Sequence, residues 1–253
     1  MKIEKTSETG NKINFTINEF DASTANALRR SIFEIPTVAI DTVEFYKNDS
    51  ALYDEMIAHR LGLLPLKTGV SMNERERCSC KGKGCAKCAA SLKLKAKGPK
   101  TVYASDMKAK GVEIIYPEMP IVLLAADQEL ELTAEARLGK GKEHTKFNPG
   151  ILWYNLIAEI KEIKTAEKGK KTVKVSPKEF ELIKQNKSRL IPDLINETAE
   201  CDGKFLEISS KNSEFSFFIE SFGQIKPKDI FIEAVNALDL NLEELEKAVK
   251  KIK

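Results

Sequence analysis

The stretch CSCKGKGCAKC, residues 78–88, constrains the fold of this chain more than any other part of the sequence. It holds four of the five cysteines: Cys78, Cys80, Cys85 and Cys88. Four thiolates on so short a loop can converge on one tetrahedral metal ion, provided that glycines such as Gly82 and Gly84 let the backbone turn tightly. Because the protein would fill every coordination position, a zinc ion bound here would be structural.

Basic residues surround these cysteines, and the sequence from 77 to 100 contains no Asp or Glu. The cations are Arg77, Lys81, Lys83, Lys87, Lys93, Lys95, Lys97 and Lys100. Positive neighbours lower the pKa of thiols and favour the metal-bound thiolate. We therefore predict a metal site rather than four free thiols. Zinc is favoured over an iron–sulfur cluster because a lysine-rich loop offers a cluster no apolar cover.

The composition bounds the class of protein. The 253 residues have a formal net charge of +3, with 42% hydrophobic and 31% charged residues, which is typical of a soluble globular chain that needs no disulfides. No stretch approaches the roughly 18 uninterrupted apolar residues of a membrane helix, and the start, MKIEKTSETG, lacks the apolar segment of a signal peptide. We expect a cytoplasmic protein, in a reducing compartment where clustered thiols are more often metal ligands than disulfides.

Catalytic motifs are missing from the sequence. It contains no Walker phosphate loop, no GxGxxG, no HExxH and no nucleophile elbow. The two histidines, His59 and His144, stand apart from each other, and a helix-surface or capping role is favoured for each. We therefore predict that the chain has no catalytic residues of its own.

The periodicity of the apolar residues predicts an α+β fold. Strands are predicted at 12–20, 37–48, 91–97, 128–139, 151–164, 204–210 and 214–223. Helices are predicted at about 21–35, 53–63, 176–186 and from Pro227 to the end of the sequence. The alternating segments 91–97 and 128–139 are expected to be sheet edges or half-exposed strands, and 191–204 is expected to be irregular.

Two of the predicted helices carry a stripe of apolar residues. The stripe of the first helix comprises Ala25, Leu28, Ile32 and Ile35. The stripe of the last helix comprises Ile230, Ala234, Ala237, Leu238, Leu242, Leu245, Val249 and Ile252. Such stripes must be covered either by the chain's own sheet or by a partner. We expect a partner subunit to cover both, and the alternative is packing within the chain.

Three stretches carry a resemblance to a known family. They are TANALRRSIFEIPTVAIDTVEFYKNDSALYDEMIAHRLGLLPLKT (24–68), ARLGKGKEHTKFNPG (136–150) and FFIESFGQIKPKDIFIEAVNAL (217–238). They occur in the family's order and span most of the chain. The sequence resembles the alpha-like subunits of RNA polymerase, and within them it is most similar to the archaeal D subunits. These are counterparts of bacterial alpha and of the third-largest subunit of eukaryotic RNA polymerase II.

The resemblance implies a division into domains. Residues 1–46, 151–165 and 204–253 would form a discontinuous alpha-like dimerisation domain. Residues 47–150 would form an inserted, mainly β domain that carries the four-cysteine metal loop. Residues 166–203 correspond to a third region that binds iron–sulfur clusters in some archaeal members. Here Ser176 stands where a cysteine would be expected and Cys201 is the only thiol, so a cluster is not expected. Eukaryotic relatives hold a structural zinc in a loop like 78–88.

The resemblance also implies partners. The family heterodimerises with subunit L, a shorter copy of the dimerisation unit, and the pair then recruits the small subunits N and P and the large B subunit. The residues expected to bind partners are Asn26, Leu28, Arg29, Arg30, Ile32, Ile230, Ala234, Leu238, Leu242, Leu245 and Val249. Arg29 and Arg30 would contact a large subunit, and the alternative for them is a salt bridge within the chain.

The function implied is that of a non-catalytic assembly platform, since the aspartate-rich magnesium motif of the large subunits is absent from this sequence. Two alternatives remain. One is a metal or iron–sulfur redox-sensing module of the same complex. The other is a nucleic-acid-binding module that uses the basic stripe between Lys81 and Lys100, although a solvated strand face is favoured for those lysines.

Overall fold

The computed structural model of the chain describes residues 2–68, 72–165, 170–185 and 191–252. Its α-helices are α1 (Ala22–Ser31), α2 (Asp54–Gly62), α3 (Pro177–Lys184) and α4 (Pro227–Val249). Its strands are β1 (Lys2–Thr9), β2 (Lys12–Asn18), β3 (Thr37–Asn48), β4 (Leu66–Thr68), β5 (Ala89–Lys97), β6 (Lys100–Tyr103), β7 (Lys108–Lys110), β8 (Val112–Ile114), β9 (Pro120–Leu124), β10 (Glu129–Gly139), β11 (Gly150–Ile163), β12 (Thr172–Lys174), β13 (Thr198–Cys201) and β14 (Lys204–Ser221). Short 3-10 helices lie at Ile32–Glu34, Arg75–Arg77, Ala104–Asp106, Thr145–Phe147 and Ile191–Leu194. Among the described residues no helix has the length and apolar character needed to cross a membrane.

The chain divides into two compact units, each built from two segments. The first unit comprises residues 1–29 and 152–218, and the second comprises 30–151 and 219–253. The expected boundary at 46/47 falls inside β3, which pairs with β10 from Thr37↔Gly139 to Asn48↔Leu130. A strand bonded along its whole length stays with its partner, so β3 lies entirely in the second unit.

The first unit is built on a sheet with the order β1-β2-β14-β13-β12, in which β11 also pairs with β14. Aromatic side chains fill one part of its core: the rings of Phe15 and Phe217 are stacked with centroids 5.6 Å apart, and Tyr154 meets Phe215 edge-on at 5.6 Å. Residues 204–210 and 214–223 were predicted as two strands, but the structure joins them in the single strand β14.

The expected third region is part of this sheet. Its strand β12 pairs in parallel with β13, and β13 pairs with β14. The prediction that 191–204 is irregular is therefore wrong for Thr198–Cys201, which forms β13. The helix α3 begins after Ser176, whose Oγ accepts a hydrogen bond from the Glu179 amide at 3.2 Å. Phe180 and Ile183 of α3 are buried in one hydrophobic cluster with Cys201. Residues 166–169 and 186–190 lie outside the described residues.

The second unit contains a four-stranded sheet with the order β3-β10-β5-β7. The strand β10 pairs with β3 on one side and with β5 on the other. The prediction of a sheet edge at 128–139 is therefore wrong. The prediction of a half-exposed strand is confirmed, because burial alternates along β10. The alternation exposes one face and buries the other, where Leu92, Leu94, Leu130 and Leu132 form part of a large core.

An ion-pair network joins β3 to the loop after β10 within the second unit. The Asp41 carboxylate accepts hydrogen bonds from Arg137 Nε and Lys146 Nζ, each at 2.7 Å. Both cations also lie over the ring of Phe147, at 4.9 Å and 5.1 Å from its centroid. Partial burial opposes ionisation of Asp41, but the hydrogen bonds from Arg137 and Lys146 outweigh it and hold the pKa of Asp41 below its ordinary value.

We expect Asp41→Asn to lower the free energy of unfolding by about 2 kcal/mol at pH 7. The substitution removes the carboxylate that pairs with the partly buried Lys146, and it leaves Arg137 with Glu143 as its remaining acidic partner. A carboxylate with a lowered pKa stabilises the fold above its unfolded pKa of about 3.9, and this contribution is lost as the pH falls. The difference between variant and wild type should therefore shrink below about pH 4. Urea unfolding at several pH values measures it. Asp49→Asn is the control, because Asp49 forms an exposed ion pair with Lys47 and its hydrogen bond from the Glu129 amide can also be accepted by an asparagine oxygen. This substitution should cost less than about 0.5 kcal/mol. Equal losses in the two variants would contradict the prediction.

Candidate metal centre

The cysteine loop lies in the second unit, between the 3-10 helix Arg75–Arg77 and the start of β5 at Ala89. A hydrogen bond from the Asn73 amide to the Lys87 carbonyl, 2.9 Å long, closes the base of the loop. The last cysteine, Cys88, directly precedes β5, so the sheet fixes one end of the ligand set.

The four sulfur atoms converge, as the spacing predicts. All four Sγ atoms lie within 4.8 Å of one another. The distance is 3.6 Å from Cys78 to Cys85, 3.5 Å from Cys80 to Cys88, and 4.0 Å from Cys85 to Cys88. A regular tetrahedron of sulfurs around a zinc ion, with Zn–S bonds of about 2.3 Å, has edges of roughly 3.8 Å. The thiols are free rather than joined in disulfides, so this set fits a single tetrahedral ion.

Two tight turns bring the sulfurs together. The Lys81 amide donates to the Cys78 carbonyl at 2.9 Å, and the Cys88 amide donates to the Cys85 carbonyl at 2.9 Å. Between these turns Gly82 and Gly84 have φ of +81° and +79°, a region that side chains with a Cβ rarely occupy. The glycines that suggested a tight loop therefore occupy the positions that require them.

The local environment gives the thiols of the cysteine loop different pKa values. Burial opposes ionisation of Cys80, but hydrogen bonds from Cys88, from Cys78 and from backbone amides outweigh it and lower its pKa to about 6. The Cys80 amide lowers the pKa of Cys78. Burial raises the pKa of the Cys88 thiol to about 12. A metal ion that binds these sulfurs must displace the protons that the thiols still carry.

Two residues that the sequence did not single out contact the loop. Arg75 donates from Nε to the Gly82 carbonyl at 3.0 Å, and its Nη1 lies 3.0 Å from Oε1 of Glu135 on β10. Arg75 lies outside the basic run that begins at Arg77, and Glu135 is distant in sequence. Only the pairing of β5 with β10 brings Glu135 close, so local spacing carried no signal for this contact.

The basic stripe on β5 faces an acidic row on β10. In this pairing Lys95 lies opposite Glu131 and Lys97 opposite Glu129, with Nζ–carboxylate distances of 2.7 Å and 3.3 Å. Cross-strand pairs of opposite charge stabilise a sheet. These lysines have structural partners, which favours the solvated strand face over a nucleic-acid surface.

The expected partner surface is only partly exposed. Leu28 and Ile32, the expected dimer core of the first helix, are buried with 5% and 2% of their surface exposed, and Ile230 and Ala234 of α4 are fully buried. The expectation that a partner covers these four residues is corrected. The 3-10 helix Ile32–Glu34 contacts α4 inside the second unit, so the chain itself covers Ile32 and the first turns of α4.

The second half of α4 differs from the first. Leu238 is partly buried, whereas Leu242, Leu245 and Val249 are 54%, 60% and 54% exposed, and Ile252 just beyond the helix is 78% exposed. With a spacing of four, three, four and three residues, these five side chains follow one side of the helix. We call Leu242, Leu245, Val249 and Ile252 the exposed stripe.

The polar residues of the first helix lie at the surface. Asn26 and Arg30 are exposed. Arg29 donates from Nε and Nη2 to the Asn26 side-chain oxygen, at 3.1 Å and 2.9 Å. Among the described residues the structure gives neither arginine a salt bridge, so the alternative of an intramolecular ion pair is not met.

His59 is exposed on α2, and His144 accepts a hydrogen bond from the Lys146 amide at 3.1 Å as an N-cap, as predicted for surface and capping histidines.

Residues 38–152 match the family described as the RNA polymerase Rpb3/RpoA insert domain. This segment begins at the start of β3 and contains the four-stranded sheet and the cysteine loop. The second unit thus carries the domain that is characteristic of alpha-like polymerase subunits.

Relatives extend the similarity to nearly the whole chain. The DNA-directed RNA polymerase subunit Rpo3 of Pyrococcus horikoshii is 34% identical over 247 residues, which cover 94% of this chain and 93% of the relative. The Rpo3 subunit of Archaeoglobus fulgidus is 32% identical in an alignment that covers 99% of this chain and 98% of the relative. That of Methanothermobacter thermautotrophicus is 31% identical over 252 residues, covering 94% and 95%. The chain belongs to the Rpo3 family of DNA-directed RNA polymerase subunits.

Proposed function

We propose that the chain is a non-catalytic assembly-platform subunit of DNA-dependent RNA polymerase. It heterodimerises with subunit L, and the pair recruits the small subunits N and P and then the large B subunit. Similarity to Rpo3 subunits over almost the full length of both chains supports the polymerase role. The observation that carries the platform role is the exposed stripe on α4, which presents four large apolar side chains to solvent.

The two sides of this part of α4 differ in chemistry. Next to the exposed stripe, Lys247 pairs with Glu243 at 3.3 Å and Lys250 pairs with Glu246 at 2.5 Å, which is the i,i+4 arrangement of a solvated helix surface. A continuous apolar row beside such pairs is typical of a protein–protein interface. Its alternating spacing of three and four residues is the pattern by which one helix packs along another.

We infer that subunit L supplies the facing helix. In the family that this chain resembles, L is a shorter copy of the dimerisation unit, so it offers a matching apolar helix face. The dimerisation domain of the present chain would then combine the N-terminal strands, α1 and α4, and the insertion would be the segment that matches the insert-domain family, residues 38–152. Arg30, exposed on α1, and Arg29 would remain outside the helix–helix contact and provide polar contacts to a large subunit.

The cysteine loop holds a structural zinc in this proposal. Cys78, Cys80, Cys85 and Cys88 would be its ligands, and zinc would supply on the order of 10 kcal/mol to ordering the loop. An iron–sulfur cluster places several irons between its ligands, whereas these four sulfurs lie within 4.8 Å of one another. The compact set favours a single ion, and the soft thiolate donors favour zinc among divalent ions.

Co-expression with subunit L tests the platform role. We expect the chain alone to be poorly soluble, because the exposed stripe promotes association, and to become soluble and well folded in a 1:1 complex with L. Mass spectrometry of intact complexes that copurify with the tagged chain should then find N, P and the large B subunit. A chain that is monomeric, monodisperse and unchanged by L would overturn the proposal.

A further inference from the structure

Arg75 links the cysteine loop to the sheet. Its Nε donates to the carbonyl of Gly82, in the middle of the loop, at 3.0 Å, and its Nη1 lies 3.0 Å from Oε1 of Glu135. The arginine and glutamate side chains are 30% and 37% exposed. One guanidinium therefore bridges a backbone acceptor between the two pairs of cysteines and a carboxylate on β10.

The backbone of the loop leaves space for this guanidinium. A Cβ atom on Gly84 would lie 2.9 Å from Nη2 of Arg75 and 3.3 Å from Oε2 of Glu135. These distances are shorter than ordinary van der Waals contacts, so a side chain at position 84 would push against the bridge. The glycine at 84 thus serves both the positive φ of the turn and the close approach of Arg75.

Glu135 is well placed to hold the bridge still. It lies opposite Ser91 of β5 and opposite Thr42 of β3, in the middle of the four-stranded sheet. A planar guanidinium can donate to two acceptors at once in a fixed geometry, which a lysine ammonium cannot reproduce.

We propose that Arg75, oriented by Glu135, is a positioning residue for the metal in the cysteine loop. It holds Gly82 in the conformation that brings Cys78 and Cys80 towards Cys85 and Cys88. It also places a fixed positive charge beside a four-thiolate zinc centre, whose net charge is about −2. The role rests on the proposed metal binding and is independent of the proposed assembly with subunit L.

Arg77 provides a matched control. It is the same residue type two positions away, but its side chain is 78% exposed and its ion pair is with Glu74, at 3.3 Å. If nearby positive charge alone retained the metal, Arg75 and Arg77 would be equivalent. If the bridge to Gly82 and Glu135 retains it, only Arg75 matters.

The experiment measures zinc release from the full-length chain to a chromogenic chelator at neutral pH. We expect Arg75→Ala to accelerate release by roughly 10- to 100-fold, the usual effect of removing a residue that supports metal ligands. Arg75→Lys should recover only a small part of this effect, and Arg77→Ala should stay within about twofold of wild type. Cobalt substitution should give tetrahedral thiolate absorption bands in every variant, since all four ligands remain.

A double-mutant cycle separates positioning from general stability. Glu135→Ala should accelerate release less than Arg75→Ala, and the double variant should release zinc no faster than Arg75→Ala alone, because the two residues act as a unit. Equal release from Arg75→Ala and Arg77→Ala, or additive effects of Arg75→Ala and Glu135→Ala, would overturn the role of Arg75 while leaving the metal site intact. A wild-type chain that takes up no zinc would overturn the metal site and this role together.

Discussion

Replacing Cys80 and Cys88 by serine is expected to abolish zinc binding and to disorder residues 78–88. Their sulfurs are 3.5 Å apart, and serine hydroxyls are poor substitutes for thiolates as zinc ligands. The loop has few other sources of order, because its lysines are exposed and the buried residues within it are Cys78 and Cys88. Losing a contribution on the order of 10 kcal/mol leaves such a loop unfolded.

Two measurements check this expectation. Elemental analysis should find about one zinc per wild-type chain and none in the double variant. Hydrogen exchange of the loop amides, among them the Lys81 and Cys88 amides that close the two turns, should become fast. Visible absorption bands of an iron–sulfur centre in the wild-type chain would contradict the assignment of zinc.

The loss of order in the double variant should be confined to the cysteine loop. The core below the sheet β3-β10-β5-β7 includes Leu92, Leu94, Leu130 and Leu132, which do not depend on the metal for their burial. Circular dichroism should therefore keep the wild-type strand signal. Cys201→Ser is the control, because Cys201 is buried in the separate cluster with Phe180 and Ile183. It should cost some stability but retain the zinc, and loss of zinc from this variant would contradict the four-ligand assignment.

Local sequence patterns predicted secondary structure well where the alternation of apolar and polar residues alone identifies a strand. The alternation in KINFTINEF and TVAIDTVEFYKN corresponds to β2 and β3, and the thiol spacing predicted the convergence of four sulfurs. The same alternation does not distinguish an edge strand from a central one, because both bury one face. The central position of β10 was therefore missed. The bridge between Arg75 and Glu135 joins residues far apart in sequence, and only the strand register brings them together.

The apolar stripes illustrate a second limit. A stripe indicates that a helix face will be buried, but the spacing of residues does not say which chain buries it. The structure divides α4 into two parts: Ile230 and Ala234 are buried in the chain, whereas Leu242 and Leu245 are exposed. The prediction of an unpartnered surface was thus too broad at its N-terminal end, and the exposed stripe is the part left for a partner.

We expect Leu245→Asp to abolish the heterodimer with subunit L without unfolding the chain. Leu245 is 60% exposed, so an aspartate there stays solvated in the free subunit. In the complex the same position would be buried between helices, where losing the leucine and desolvating a carboxylate together cost at least about 3 kcal/mol. That is about a 100-fold loss of affinity, and Leu242→Asp should have a similar effect.

Leu240→Asp is the matched control for this prediction. Leu240 is 61% exposed, nearly the same as Leu245, but at about 100° per residue it points roughly 140° to 160° away from Leu245 and Leu242 of the exposed stripe. The comparison therefore tests whether binding depends on which side of α4 carries the substitution, rather than on the loss of any exposed leucine. Pull-down of subunit L by each tagged variant after co-expression should give the wild-type yield of complex for Leu240→Asp and no detectable complex for Leu245→Asp. Loss of binding in both variants would point to a general effect on α4, and retention in both would place the contact with subunit L on another surface.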